Sequence, residues 1–180
     1  MPDTPGDDGP DLPEWFTAPP MIGGYVTGPV PVARSSSLVI VARQVLAFPA
    51  GIEVEVEAHA RGSLAGTAPV PADLAGHQPL QFHVRFADGR EAAQDDEAGL
   101  RSGRGPMLVI SGSQHSHGGP GAPEDVRLTV WIWPLPPPGP VAVTCSWPSR
   151  GLHHAGLVLD GDAIQDAAHR AQPFWSGPGS

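Results

Sequence analysis

Two close pairs of histidines, His115-Ser116-His117 and His153-His154, are the residues with the most obvious capacity for chemistry. Imidazole both titrates near neutral pH and binds transition metals through a ring nitrogen. Brought to one end of a β-sandwich, the pairs would offer three or four ligands, a number that suits zinc. On a regular strand His-x-His directs both rings to one face. The first pair, however, lies in a flexible-looking Gly/Ser stretch, Ser111-Gly112-Ser113 to Gly118-Gly119, which does not impose that geometry. Free surface histidines are the plainer reading, for these pairs and for His59 and His83.

A second constellation is the row Glu53, Glu55 and Glu57. Paired carboxylates can bind calcium or act as acid and base in hydrolysis. Along a strand, same-face neighbours stand about 7 Å apart, too far to cup one ion without loop carbonyls. A cross-strand role is simpler, with Arg85 and His83 of a neighbouring strand facing the glutamates. Asp95-Asp96-Glu97 lies in a polar stretch with no surrounding pattern of oxygen ligands and reads as solvent-facing. The single cysteine, Cys145, shares parity with Val141, Val143 and Trp147, which marks it as a small buried hydrophobe rather than a nucleophile. All ten basic residues are arginine. Without lysine there is no Schiff-base chemistry and no Walker-type phosphate site, and no nucleophile-elbow, dinucleotide or zinc-protease motif occurs. These absences point to a non-enzyme without a cofactor.

Indoles offer a third kind of chemistry, recognition by contact. Trp131 and Trp133 fall on the parity opposite to Val126, Leu128, Val130 and Ile132, so one strand face is aliphatic and the other carries two indoles. Left open, that face is a platform for a sugar ring, a proline segment or a partner surface. Covered, it belongs to the interior, with the amino-terminal Trp15-Phe16 or the carboxy-terminal Phe174-Trp175 as lid.

Positioning these residues requires strands. Ile52 to Ala60 alternates strictly, apolar residues on one face and Glu53, Glu55, Glu57 and His59 on the other; Leu80 to Phe86 repeats the pattern and ends in the turn pair Asp88-Gly89. Leu38 to Phe48 is apolar on both faces, as in a central strand covered on both sides, and Phe48-Pro49-Ala50-Gly51 turns it into a hairpin. Val126–Trp133 and Val141–Trp147 are further strands, Met107–Ile110 a short one, and Tyr25–Val32 an edge strand limited by its prolines. One helix is expected over 161–171, capped by Asp160 and stopped by Pro173. The fold so predicted is mostly β, an antiparallel two-sheet sandwich of immunoglobulin-like architecture with one C-terminal helix. Segments 61–79 and 87–106 are expected as long loops.

The chain of 180 residues accommodates one domain, here placed at 21–172 with a tail at 173–180. Residues 1–20, acidic and proline-rich, form a disordered or loosely docked arm without the cationic start and apolar run of a signal peptide. Twenty-three glycines and 23 prolines imply many turns. A formal net charge of −9 disfavours nucleic acid and anionic membrane surfaces as partners. One unpaired cysteine and no membrane-spanning stretch suit the cytoplasm.

Trp131-Ile132-Trp133-Pro134-Leu135-Pro136-Pro137-Pro138-Gly139-Pro140, with Cys145-Ser146-Trp147-Pro148, resembles a group of uncharacterised bacterial proteins that share a Trp-Pro-Leu-Pro-Pro-Pro-Gly-Pro hairpin. The likeness extends to Leu38–Gly51 and Phe86–Arg90, roughly half the chain. It implies a β domain and carries no activity with it. The proline run itself reads as a stiff polyproline bridge between the sheets, or else as a ligand for an aromatic groove. Taken together, the residues predict a non-catalytic module that binds another protein through Trp131, Trp133, Trp15, Phe16 or Trp175. A His115, His117, His153, His154 metal site, hydrolytic or not, and sugar binding by the Trp131–Trp133 pair are the alternatives.

Overall fold

The computed structural model describes residues 13–61, 80–94, 96, 99, 105–117 and 124–175. They form two packed antiparallel sheets, a two-stranded ribbon and one α-helix. The larger sheet contains β2 (Gly24–Thr27) and β3 (Val30–Arg34), both paired with β4 (Leu38–Phe48), followed by β5 (Gly51–Ala60), β9 (Glu124–Trp133) and β8 (Met107–His117). The smaller sheet has the order β11 (Leu152–Asp160), β10 (Pro140–Trp147), β6 (Gln81–Arg85), β7 (Glu91–Ala93). β1 (Met21–Ile22) and β12 (Gln172–Pro173) make the ribbon. The sandwich with a helix near its C-terminus is therefore as expected.

Alternation explains the core. Val54, Val56 and Ala58 of β5 and Val126, Leu128 and Val130 of β9 meet Val84 of β6 and Val141 and Val143 of β10. In β4 the two apolar faces have another origin than burial on both sides. Ala42 faces Val56 and Gln44 faces Glu55, leaving Arg43 as the extra residue of a bulge. One inserted residue exchanges the faces. Leu38, Ile40 and Ala42 thus point inward before the bulge and Val45 and Ala47 after it, while Val39, Val41 and Leu46 are only half-buried.

Four further expectations differ from the structure. Segment 87–106 contains β7, which pairs with β6 through the Asp88-Gly89 turn, where Gly89 has a φ of 85°. β8 continues past Ile110 to His117, with a bulge at Ser111, because β9 offers a ladder of equal length. The helix, α1 (Gly161–Ala168), is three residues shorter than expected. Its last turn tightens, Arg170 N–H donating to Ala167 O and Ala171 N–H to Ala168 O, as the chain leaves to form β12. Pro173, expected to begin a tail, is paired with Met21 in the ribbon. The Asp160 cap is present: its carboxylate accepts from Asp162 N–H at 3.0 Å. Segment 62–79 of the other expected loop lies outside the described residues.

The proline segment between β9 and β10 carries the chain from one sheet to the other. α1 is seated on it: Gly161 N–H donates to Gly139 O at 2.8 Å, and the Gln165 amide donates to Pro136 O. A side chain at position 161 would collide with the carbonyls of Pro137 and Gly139. Carbonyls that the sequence leaves free for a partner's groove are thus turned inward, toward this chain's own helix.

Candidate functional site

Trp131 is fully buried on the outer face of the larger sheet. Its Nε1 donates to Glu14 O at 3.0 Å, and its ring meets Phe48 edge-on at 5.8 Å. Trp133 is half-buried, its ring against the Gly105 backbone, which has no side chain to keep it away. The open two-indole platform is therefore absent, because the amino-terminal arm and Phe48 close over Trp131. Trp15 is half-buried and stands at right angles to the exposed Phe16, 6.0 Å between centroids.

Large apolar side chains are instead exposed where the two ends of the described chain meet. Trp175 is 84% exposed, and Ile22, Tyr25 and Phe174 each more than half. The ribbon brings them to neighbouring segments: Ile22 is paired with Gln172, two residues before Phe174, and the Arg170 guanidinium donates to Tyr25 O at 3.1 Å. Sequence singles out Trp175 as a contact residue and Phe174 beside it only as part of a lid over the indoles. The signal for the rest required the ribbon, a pairing of residues some 150 apart that no local pattern announces.

The strands that carry the two histidine pairs stand apart. Both pairs lie at the end of the sandwich away from α1, but β11 packs beside β3 at one edge and β8 beside β6 and β7 at the other. In the backbone register His115 is opposite Val126 and His117 opposite Glu124. Among the described residues, no group of three or more His, Cys, Asp or Glu is placed to hold a metal ion. His153 and His154 are exposed and line a groove of about 400 Å³ on the outer face of the smaller sheet. His83, Gln81, Gln94, Thr144 and Ser146 complete its polar lining. Thr144 and Ser146 of β10 register with His83 and Gln81 of β6, so the groove floor is a set of cross-strand pairs. Cys145 is buried beside it, and burial pushes its thiol pKa up to about 11, which removes it as a nucleophile at neutral pH.

The glutamate row faces partners other than those expected. β6 belongs to the other sheet, so Arg85 and His83 cannot reach it. β5 lies between β4 and β9, and their arginines serve instead. Glu57 takes Arg43 at 2.7 Å and Arg127 at 3.1 Å; Glu55 takes the Gln44 amide at 2.9 Å and Arg127 Nε at 3.1 Å. His59 Nδ1 is 2.6 Å from Asp125 Oδ1, so this histidine is paired rather than merely solvated. His83 Nε2 lies 3.5 Å from Glu91. Glu57 is covered by these long side chains rather than by depth in the core. Desolvation alone would raise its pKa, but the hydrogen bonds and charges of Arg127 and Arg43 outweigh it and hold the carboxyl below its ordinary 4.5. Glu53, partly buried and next to Glu55, is pushed the other way, by desolvation first and by its neighbour's charge second.

A pH-dependent stability follows. A depressed folded pKa stabilises fully above 4.5, and the contribution disappears as pH falls through the lower folded value. Glu57→Gln should cost about 1 kcal/mol at neutral pH, since it removes the charge from two ion pairs while solvent still reaches both guanidinium groups and Glu55 keeps Arg127. In thermal melts the gap to the native protein should narrow as pH falls below 4.5 and through the lower folded value of the native carboxyl. A gap of constant size across that range would contradict the assignment.

No protein-family model matches the chain, and neither curated proteins nor solved structures provide a significant match. No helix among the described residues is long and apolar enough to cross a membrane.

Proposed function

We propose that this protein is a non-catalytic cytoplasmic β-sandwich that acts by binding another protein, as a subunit or adaptor, through the aromatic surface beside the β1–β12 ribbon. The observation that carries this reading is the exposure of Trp175, Phe174, Tyr25 and Ile22 on neighbouring segments of one molecule. Trp and Tyr are the residue types that most often anchor interfaces, and exposed apolar side chains gathered in one place mark contact surfaces on soluble proteins. The raised Cys145 pKa and the separation of the strands that carry the histidine pairs support a non-catalytic role. Trp131 leaves the set of contact residues because it is already spent on the interior.

A photo-reactive phenylalanine analogue at position 175 tests the proposal in the source cells. It should give one dominant cross-linked protein, abolished when Phe174 and Tyr25 are changed to Ser. The same Phe174→Ser and Tyr25→Ser chain should stay folded and lose no more than about 1–2 kcal/mol, chiefly the bond that the Tyr25 hydroxyl donates to Gly28 O. Cross-links spread over many proteins, or unaffected by the serines, would refute it.

A further inference from the structure

The groove on the outer face of the smaller sheet is built differently from the aromatic surface. Its lining sets apolar surface from Phe82, Ala93 and Cys145 beside polar groups: the imidazoles of His83, His153 and His154, the Gln94 carboxamide, and the hydroxyls of Thr144 and Ser146. Each of these polar groups can donate and accept hydrogen bonds. Neither arginine nor a carboxylate lines it, although Glu91 approaches His83 from outside at 3.5 Å. An anion would find no arginine there to offset the charge of −9, and a cation would find no carboxylate cup. A wholly apolar ligand would leave the hydroxyls and imidazoles unpaired, whereas a sugar presents both hydroxyls and C–H faces.

Gln94 supplies an independent observation. It is 6% exposed, its backbone N–H is anchored to Phe82 O at 3.0 Å, and its carboxamide oxygen has no hydrogen-bond partner. A buried acceptor left unpaired is costly, and donors that reach it recover that cost. The volume of about 400 Å³ lies within the range of small-molecule sites.

We infer that this groove binds a neutral polyhydroxylated ligand, a mono- or disaccharide, whose hydroxyls bond to the histidine, Thr144, Ser146 and Gln94 side chains. The site lies on β6, β10 and β11, whereas Tyr25, Phe174 and Trp175 belong to other elements, so the two surfaces can be altered independently.

The probes are the methyl glycosides of glucose, mannose, galactose and N-acetylglucosamine, with lactose, maltose and cellobiose, at millimolar concentration. Saturation-transfer NMR on the full chain should detect at least one of them, and that sugar should shift the imidazole signals of His83, His153 and His154. Thr144→Val with His154→Ala should weaken binding at least tenfold while lowering stability by no more than about 1 kcal/mol; His154 is exposed, and the half-buried Thr144 keeps its shape as valine and gives up only its bond to His83 O. Gln94→Leu is the second variant, expected to lose binding while remaining as stable as the native chain or more so. Phe174→Ser should leave sugar binding intact, which separates failure here from failure of the protein-binding proposal. Absence of transfer from every probe, transfer unchanged by the groove variants, or tighter binding of glucose 6-phosphate than of the glucoside would each overturn the inference.

Discussion

Trp131→Ala should destabilise the protein by about 3–5 kcal/mol, the range for removing a large buried aromatic ring. For a chain of this length that is a fall in melting temperature of roughly 6–20 °C. Two effects combine. The vacated space opens beside Phe48 and Gly51, which stand too close to the ring to fill it without moving backbone. The arm also loses its anchor, since Glu14 O accepts from the indole N–H. Trp131→Phe separates the two contributions: most of the volume stays, the N–H goes, and the cost should drop to about 1 kcal/mol while the arm is released. Proteolysis near Glu14 should accelerate in both variants, and the melt should fall steeply only in the first. A loss below about 1 kcal/mol for the alanine variant would mean that the ring is not enclosed as described.

Gly24→Ala is expected to be the other large effect, from the smallest possible addition. A Cβ at position 24 would lie 1.8 Å from Ala167 O and 2.6 Å from its carbonyl carbon. The obstacle is helix backbone, so it cannot rotate aside as a side chain could. Either α1 shifts off β2 or β2 leaves β4. Overpacking of this kind costs about 1–3 kcal/mol and occasionally more, and a backbone collision belongs at the upper end. Gly112→Ala is the control. Its nearest neighbour would be Thr129 Oγ1 at 3.5 Å, an ordinary contact, and its stability should be nearly unchanged. Thermal melts of the pair give the difference, and amide exchange over Gly161–Ala168 reports whether the helix has moved. Equal melting temperatures would show that the close approach of helix and strand is not real.

Strand by strand, local pattern carried a good deal. The period of two in Ile52 to Ala60, the Asp88-Gly89 turn, the Asp160 cap and the inward parity of Cys145 each follow from neighbours within a few residues, and each stands in the structure. The errors have a common form. Leu38 to Phe48 looked doubly covered because a bulge at Arg43 exchanges the faces, and a bulge is defined by the opposing strand. The glutamates of β5 were assigned to β6 because both strands alternate cleanly, yet alternation says which face is wet and not which strand lies alongside. The functional residues divide in the same way. Trp175 is conspicuous by type, but its company with Ile22 and Tyr25 exists only through the ribbon. His153 and His154 stood out as a pair, while Gln94 carried no mark in the sequence until burial left its oxygen without a partner.

From composition and short-range order alone, this chain was bound to be an acidic, lysine-free β protein with a capped helix late in the sequence, because backbone preference, side-chain parity and charge are properties of adjacent residues. Only the folded arrangement decided that Trp131 is interior, that the strands carrying the two histidine pairs lie at opposite edges, and that the segments around the β1–β12 ribbon build an aromatic surface. Those outcomes depend on which strands become neighbours. That choice is made by packing the whole core at once, and it leaves no imprint on any single stretch of sequence.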